Sequence, residues 1–112
     1  MKHYALDRTP FEPVSHDPSL QKRVLIRDSL PGIKGLSSIV LTPGDDVPVH
    51  HHHDAYEVFY VLRGRLLFAV NAEDLLLKQG ECLVVEPGEP HSIDIVHEES
   101  ELLYFKIPEA GT

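Results

Sequence analysis

Proline and glycine break this chain so often that it has little room for helix. Nine prolines and seven glycines punctuate 112 residues. A proline removes a backbone donor and clashes with the preceding helical turn. None of the runs between these breaks has the apolar period of an amphipathic helix of ten or more residues. Instead they are short and rich in Val, Ile, Leu, Phe and Tyr, with turn residues at both ends, which is the pattern of strands. The runs expected to be strands are 24–26, 36–41, 58–62, 65–70, 75–77, 82–85, 91–96 and 102–107. The turns expected between them are 28–32, 42–46, Gly64, 71–74, 78–81 and 86–90. Eight short strands in one small domain predict an all-β sandwich or barrel.

The prolines also suggest a division of the chain. Pro10, Pro13 and Pro18 fall within residues 1–22, which read as an N-terminal extended arm. Residues 23–112 read as the barrel domain. Phe59, Val61, Phe68 and Val70 are the expected core. Cys82 sits in an apolar strand and reads as a small core residue rather than a nucleophile. As the single cysteine it leaves no intrachain disulfide to form, and nothing asks for an oxidising compartment. No apolar run resembles a signal peptide or a membrane span, so a cytoplasmic protein with no membrane partner is expected. The formal net charge of −8, with basic residues scattered, argues against nucleic acid as a partner.

The segment that carries chemistry runs from Gly44 to Gly64 and holds His50, His51, His52 and His53, then Asp54 and Glu57. Side chains two apart on an extended chain share a face, so two of these imidazoles can converge on one ion. Two pairings are open. His51 and His53 share strand parity with Glu57, which favours them. His50 and His52 have the longer spacing to Glu57, which a bulge or turn near Asp54 would accommodate. His91 follows a Pro-Gly turn 34 residues after Glu57 and in a rolled sheet could face the same interior. Tyr56 and Tyr60 flank the segment and read as a loop aromatic and an outward packing residue.

Two motifs carry a resemblance to a known family. Gly44, His50, His52, Glu57 and Gly64 meet G-x5-H-x-H-x4-E-x6-G without a gap. Gly80, Gly88 and His91 meet most of G-x5-P-x-G-x2-H-x3-N, with Glu86 in place of its proline and Ile95 in place of its asparagine. Over residues 36–107 the chain resembles a small, single-domain cupin. The resemblance implies a double-stranded β-helix, or jelly-roll barrel. It also implies His50, His52, Glu57 and His91 as ligands of one divalent transition metal ion (Fe, Mn, Ni, Co, Cu or Zn). In that pairing His51 and His53 face outward.

The family includes dioxygenases and isomerases as well as sugar-sensing domains. The first expectation is therefore a small metal-dependent enzyme, dioxygenase- or isomerase-like, acting on a small organic molecule. In it Glu57 either stays a ligand or leaves the metal to act as a base. The second is a non-catalytic module that binds a sugar-like small molecule. Small barrels of this kind commonly pair, so a homodimer is expected.

Overall fold

The computed structural model describes residues 1–28 and 30–109. Ser29, in the expected 28–32 turn, and the end of the expected barrel domain, 110–112, lie outside the described residues. Ten strands follow a short 3-10 turn at Leu6–Arg8: β1 (Glu12–Val14), β2 (Asp17–Ile26), β3 (Lys34–Leu41), β4 (Val47–His50), β5 (Ala55–Arg63), β6 (Arg65–Val70), β7 (Glu73–Lys78), β8 (Cys82–Val85), β9 (His91–Val96) and β10 (Ser100–Pro108). They form a six-stranded sheet in the order β1-β2-β3-β10-β5-β8 and a four-stranded sheet in the order β4-β9-β6-β7. Every pairing is antiparallel. The arrangement is the expected all-β jelly roll. Among the described residues, no helix is long and apolar enough to cross a membrane.

The core lies between the two sheets and is built from alternate residues of each strand, as the pleat requires. Ala55, Glu57, Phe59 and Val61 of β5 are buried in strict alternation, and Tyr60 between them is exposed. Leu66 and Phe68 on β6, Leu41 on β3 and Leu102 on β10 complete the centre. Phe59 meets Phe68 edge to face and lies near-parallel to Tyr104. Val70 is only partly buried and packs against this cluster.

Three local features depart from simple alternation, and each has a physical cause. Cys82, expected in the core, is exposed. Its strand is the outer edge of the larger sheet, where only Val85 is fully covered. In β9 the residue Asp94 has no partner between Phe68↔Ile93 and Leu67↔Ile95. This bulge turns Ile95 outward, 47% exposed, and Val96 inward. Finally, the segment read as an arm is extended, and from Glu12 onward it is paired, with Val14 and Leu20 in the core. Pro13 is compatible with this because β1 is an edge strand, where a missing donor costs no ladder bond.

Gly64 joins β5 to β6 at φ +94°, and a Cβ there would lie 2.6 Å from Ser100 Cα. Ser100 uses that close approach. Its hydroxyl accepts from the Arg65 N–H at 3.0 Å and donates to the Glu98 carbonyl at 2.8 Å. Here β10 is held against the hairpin whose first strand, β5, carries Glu57.

Candidate metal centre

Three strands and one link bring the site residues together. His50 is the last residue of β4 and is paired with His91, the first residue of β9. Glu57 lies on the inward row of β5, opposite Val85 on one side and Lys106 on the other. His52 lies in the link between β4 and β5. Its carbonyl accepts from the Gly88 N–H at 2.7 Å, which ties that link to the 86–90 loop. The same loop is fixed from within, as the Glu86 N–H donates to the Glu89 carboxylate at 2.7 Å. A proline in place of Glu86 could not make that bond. From the other side, Asn71 donates its backbone N–H to the Pro90 carbonyl and its amide to Glu89. His91 thus follows a loop held at several points.

Ligating atoms of His50, His52, Glu57 and His91 all lie within 4.8 Å of one another. Around Glu57 Oε1, the Nε2 atoms of His91, His52 and His50 stand at 3.1, 3.3 and 3.9 Å. Glu57 and His91 are buried, while His52 and His50 are 24% and 35% exposed at the side chain. His51 and His53 do not join them. They face each other in solvent with their Nε2 atoms 3.0 Å apart. Strand parity favoured that pair, but β4 stops at His50 and β5 begins at Ala55, with a bend at His53 and Asp54 between them. The alternation does not carry across the break.

The donor set suits a metal ion. Nδ1 of His50 lies 3.0 Å from the Pro48 carbonyl and Nδ1 of His91 lies 3.0 Å from the Glu89 carbonyl. A carbonyl only accepts, so both Nδ1 atoms carry a proton, and when the ring is neutral Nε2 keeps its lone pair. His52 Nε2 is buried without a hydrogen-bond partner. Such an atom carries a desolvation cost unless something binds it. Burial lowers the pKa of His50 and of His52, which favours the neutral form that ligates. Burial alone would raise Glu57, but the His91 hydrogen bond and the charges of His52, His91 and Lys106 outweigh it and hold the carboxylate ionised. Burial likewise opposes the charged form of His91, but the Glu57 and Glu89 interactions win and raise it. A proton on His91 Nε2 then fills the place facing Glu57 that a cation would take.

The surroundings include residues that the motifs did not reveal. Behind the cluster lies an apolar cavity of about 80 Å³, bounded by Leu20, Ile39, Phe59 and Leu102 among others. His16, in the β1–β2 turn, reaches its rim with its ring 6.3 Å from that of His50. Tyr104 lines it as well, and its hydroxyl is pushed up to about 12 by burial and by the Glu57 charge, so it stays protonated. In front, a wider opening of about 440 Å³ is lined by Lys22, Lys106 and Tyr104 together with His50, His52 and Glu57. Alternation on β10 could have flagged Tyr104 and Lys106, which share parity with the buried Leu102. Nothing local marked His16 or Lys22, whose segment read as an arm.

Comparison with known proteins agrees with this architecture. Residues 37–107 match the family model described as a cupin domain. The oxalate-binding protein of Thermotoga maritima is 37% identical over 54 residues, 48% of this chain and 45% of that protein. The tetracenomycin polyketide synthase protein TcmJ of Streptomyces glaucescens is 33% identical over 82 residues, 71% of this chain and 55% of that one. The chain thus spans about half the length of these two relatives. Among solved structures, one described as a "predicted oxalate decarboxylase" from Thermotoga maritima superposes with a TM-score of 0.86 at 23% identity, covering 96% of this chain and all of that one. The polyketide cyclase RemF from Streptomyces resistomycificus superposes at 0.80 with 22% identity, covering 100% of this chain and 82% of that one. With a family model over most of its length and the same jelly roll in its neighbours, this chain belongs to the cupin family.

Proposed function

We propose that the protein is a metal-dependent cupin enzyme acting on a small, oxygen-bearing organic molecule. One observation carries the reading. Three imidazole nitrogens and one ionised carboxylate converge at the inner end of an open cavity, and one of those nitrogens, His52 Nε2, is buried without a hydrogen-bond partner. His50, His52, Glu57 and His91 would hold one divalent ion, with Pro48 and Glu89 fixing two of the rings from behind. Three imidazoles and a carboxylate suit a first-row metal. When bound, such an ion supplies Lewis acidity toward a substrate oxygen.

The chain's own groups frame the rest. The apolar wall of Leu20, Ile39, Phe59 and Leu102 keeps water away from one side of the cluster. Tyr104 is a donor that does not ionise at neutral pH. Glu57 is ionised and is the group able to take a proton from a substrate held beside it. The similar proteins named for oxalate binding and polyketide cyclisation support a substrate with oxygen functions.

The test is elemental analysis of tag-free protein beside its His52→Ala and His91→Ala variants. One equivalent of a first-row metal in the parent, lost in both variants, is the expected result. Retention in either variant, or no metal after reconstitution, overturns the reading. Ligand-dependent thermal stabilisation with no chemical change in any ligand would favour a binding module instead.

A further inference from the structure

We infer that Lys22 and Lys106 form an anion-recognition pair at the mouth of this centre, selecting an organic acid whose carboxylate they hold. The inference rests on the metal-dependent reading above and names the substrate class for it. The chain carries 18 acidic and 10 basic residues. The openings beside Glu57 reverse that balance. One is lined by Lys22, Arg27, Lys34 and Lys106 against only Asp28 and Glu57, and Lys22 and Lys106 also line the opening in front of His50 and His52. A cleft lined by one sign of charge concentrates the opposite ion.

These two lysines occupy positions that strand alternation assigns to the interior. Lys106 pairs directly with Glu57 across β10 and β5, and it follows Leu102 and Tyr104 on the inward row. Lys22 pairs with the buried Ile39, two residues after the buried Leu20. Both side chains are only partly exposed. Arg27 is already bonded to Glu12, with both carboxylate oxygens within 3.0 Å. The side chains of Lys22 and Lys106, by contrast, make no salt bridge or side-chain hydrogen bond among the described residues. Lysines that line a cavity with no carboxylate in salt-bridge contact, beside a cluster of metal-type donors, suit a ligand with two oxygen functions. One function faces the four-residue cluster while an anionic group meets the two ammonium ions. Tyr104 lines both openings and the inner cavity.

The test is calorimetric titration of the metal-reconstituted protein with oxalate and malonate, with neutral malonamide as control. Wild type is compared with Lys22→Met, Lys106→Met, the double variant and Lys106→Arg. Each Met change is expected to weaken dicarboxylate binding by about tenfold, as for loss of one charged hydrogen bond. Lys106→Arg is expected to retain binding, and malonamide to be indifferent to all four changes. Equal dicarboxylate affinity in wild type and double variant overturns the inference, as does failure of wild type to bind either dianion. Metal content of the same samples separates this result from the underlying reading. If wild type holds no metal, the enzyme reading falls, and the ratio between wild type and double variant still decides the lysines. If metal is bound equally throughout while anion affinity is unchanged, the lysines alone are refuted.

Discussion

Two polar clusters lie on opposite faces of the six-stranded sheet, and they are built in opposite ways. On the outer face, Glu101 accepts from Arg23 at 2.7 Å and from Ser38 at 2.6 Å, and Arg63 lies 3.6 Å away. Arg23 also donates to the Leu6 carbonyl, and its guanidinium lies 4.8 Å from the centre of the Phe11 ring. Cation meets anion there, and the segment before β1 covers the pair. Only Arg23 Nε lacks a partner. On the inner face, Glu57 faces three imidazoles, two of which burial favours in the neutral form. The outer cluster is closed by its own complementary charges. The inner one turns two neutral imidazoles and an ionised carboxylate toward one point, a donor set that suits a cation. Buried polar residues become informative about function when their donors and acceptors do not balance.

The largest effect that would test this contrast is on metal affinity. His52→Ala is expected to weaken binding by more than the roughly 100-fold that loss of an outer partner can cost. Competition with a chelator would measure it. In metal-free protein the same change is expected to alter stability by less than about 1 kcal/mol, because His52 Nε2 makes no hydrogen bond to lose. A large destabilisation of the metal-free variant would mean that the inner cluster is structural after all.

Glu101→Ala should behave in the opposite sense. It leaves the mostly buried Arg23, 15% exposed at the side chain, without its counter-charge. A cost of about 3 kcal/mol in chemical denaturation is expected, with metal stoichiometry unchanged. Loss of metal in this variant would show that the two faces are not independent.

The pH response follows from the same cluster. Burial tends to raise the Glu101 carboxyl, but its bonds to Ser38 and Arg23 and the charges of Arg23 and Arg63 outweigh this and depress it. A depressed carboxyl gives stability that is fully present above its unfolded pKa and is lost as pH falls through the lower folded value. The stability difference between wild type and Glu101→Gln should therefore shrink on acidification from about pH 7 to pH 3. A constant difference would assign the effect to packing rather than charge.

Strand content was legible where turn or polar residues bound an apolar run on both sides. Residues 65–70, 82–85 and 91–96 match β6, β8 and β9 to the residue. The strands that escaped notice, β1, β4 and the first half of β2, are those in which Pro13, Pro48 and Pro18 sit inside the strand. Proline is a breaker only where its missing donor is needed, and β1 and β4 are edges. The motifs located the four clustered residues because that cluster depends on short spacings. Lys22 and His16 were invisible because they reach the site from a strand and a turn far away in sequence, and only sheet pairing brings them near.

The smallest expected effect tests the contrast within four consecutive residues. His51 and His53 are the same residue type as their neighbours, yet they face each other in solvent, with no carboxylate in the pair. Exposed substitutions usually change free energies by less than about 0.5 kcal/mol, so the His51→Ala/His53→Ala double variant should bind its first metal equivalent within about twofold of wild type. Two imidazoles can still hold a metal weakly, so any further, looser equivalent in wild type should vanish in the double variant. If instead the first equivalent disappears, the exposed pair is the metal site. Residue type and sequence spacing are equal in the two pairs, so what separates them is convergence on Glu57 and His91 inside the barrel.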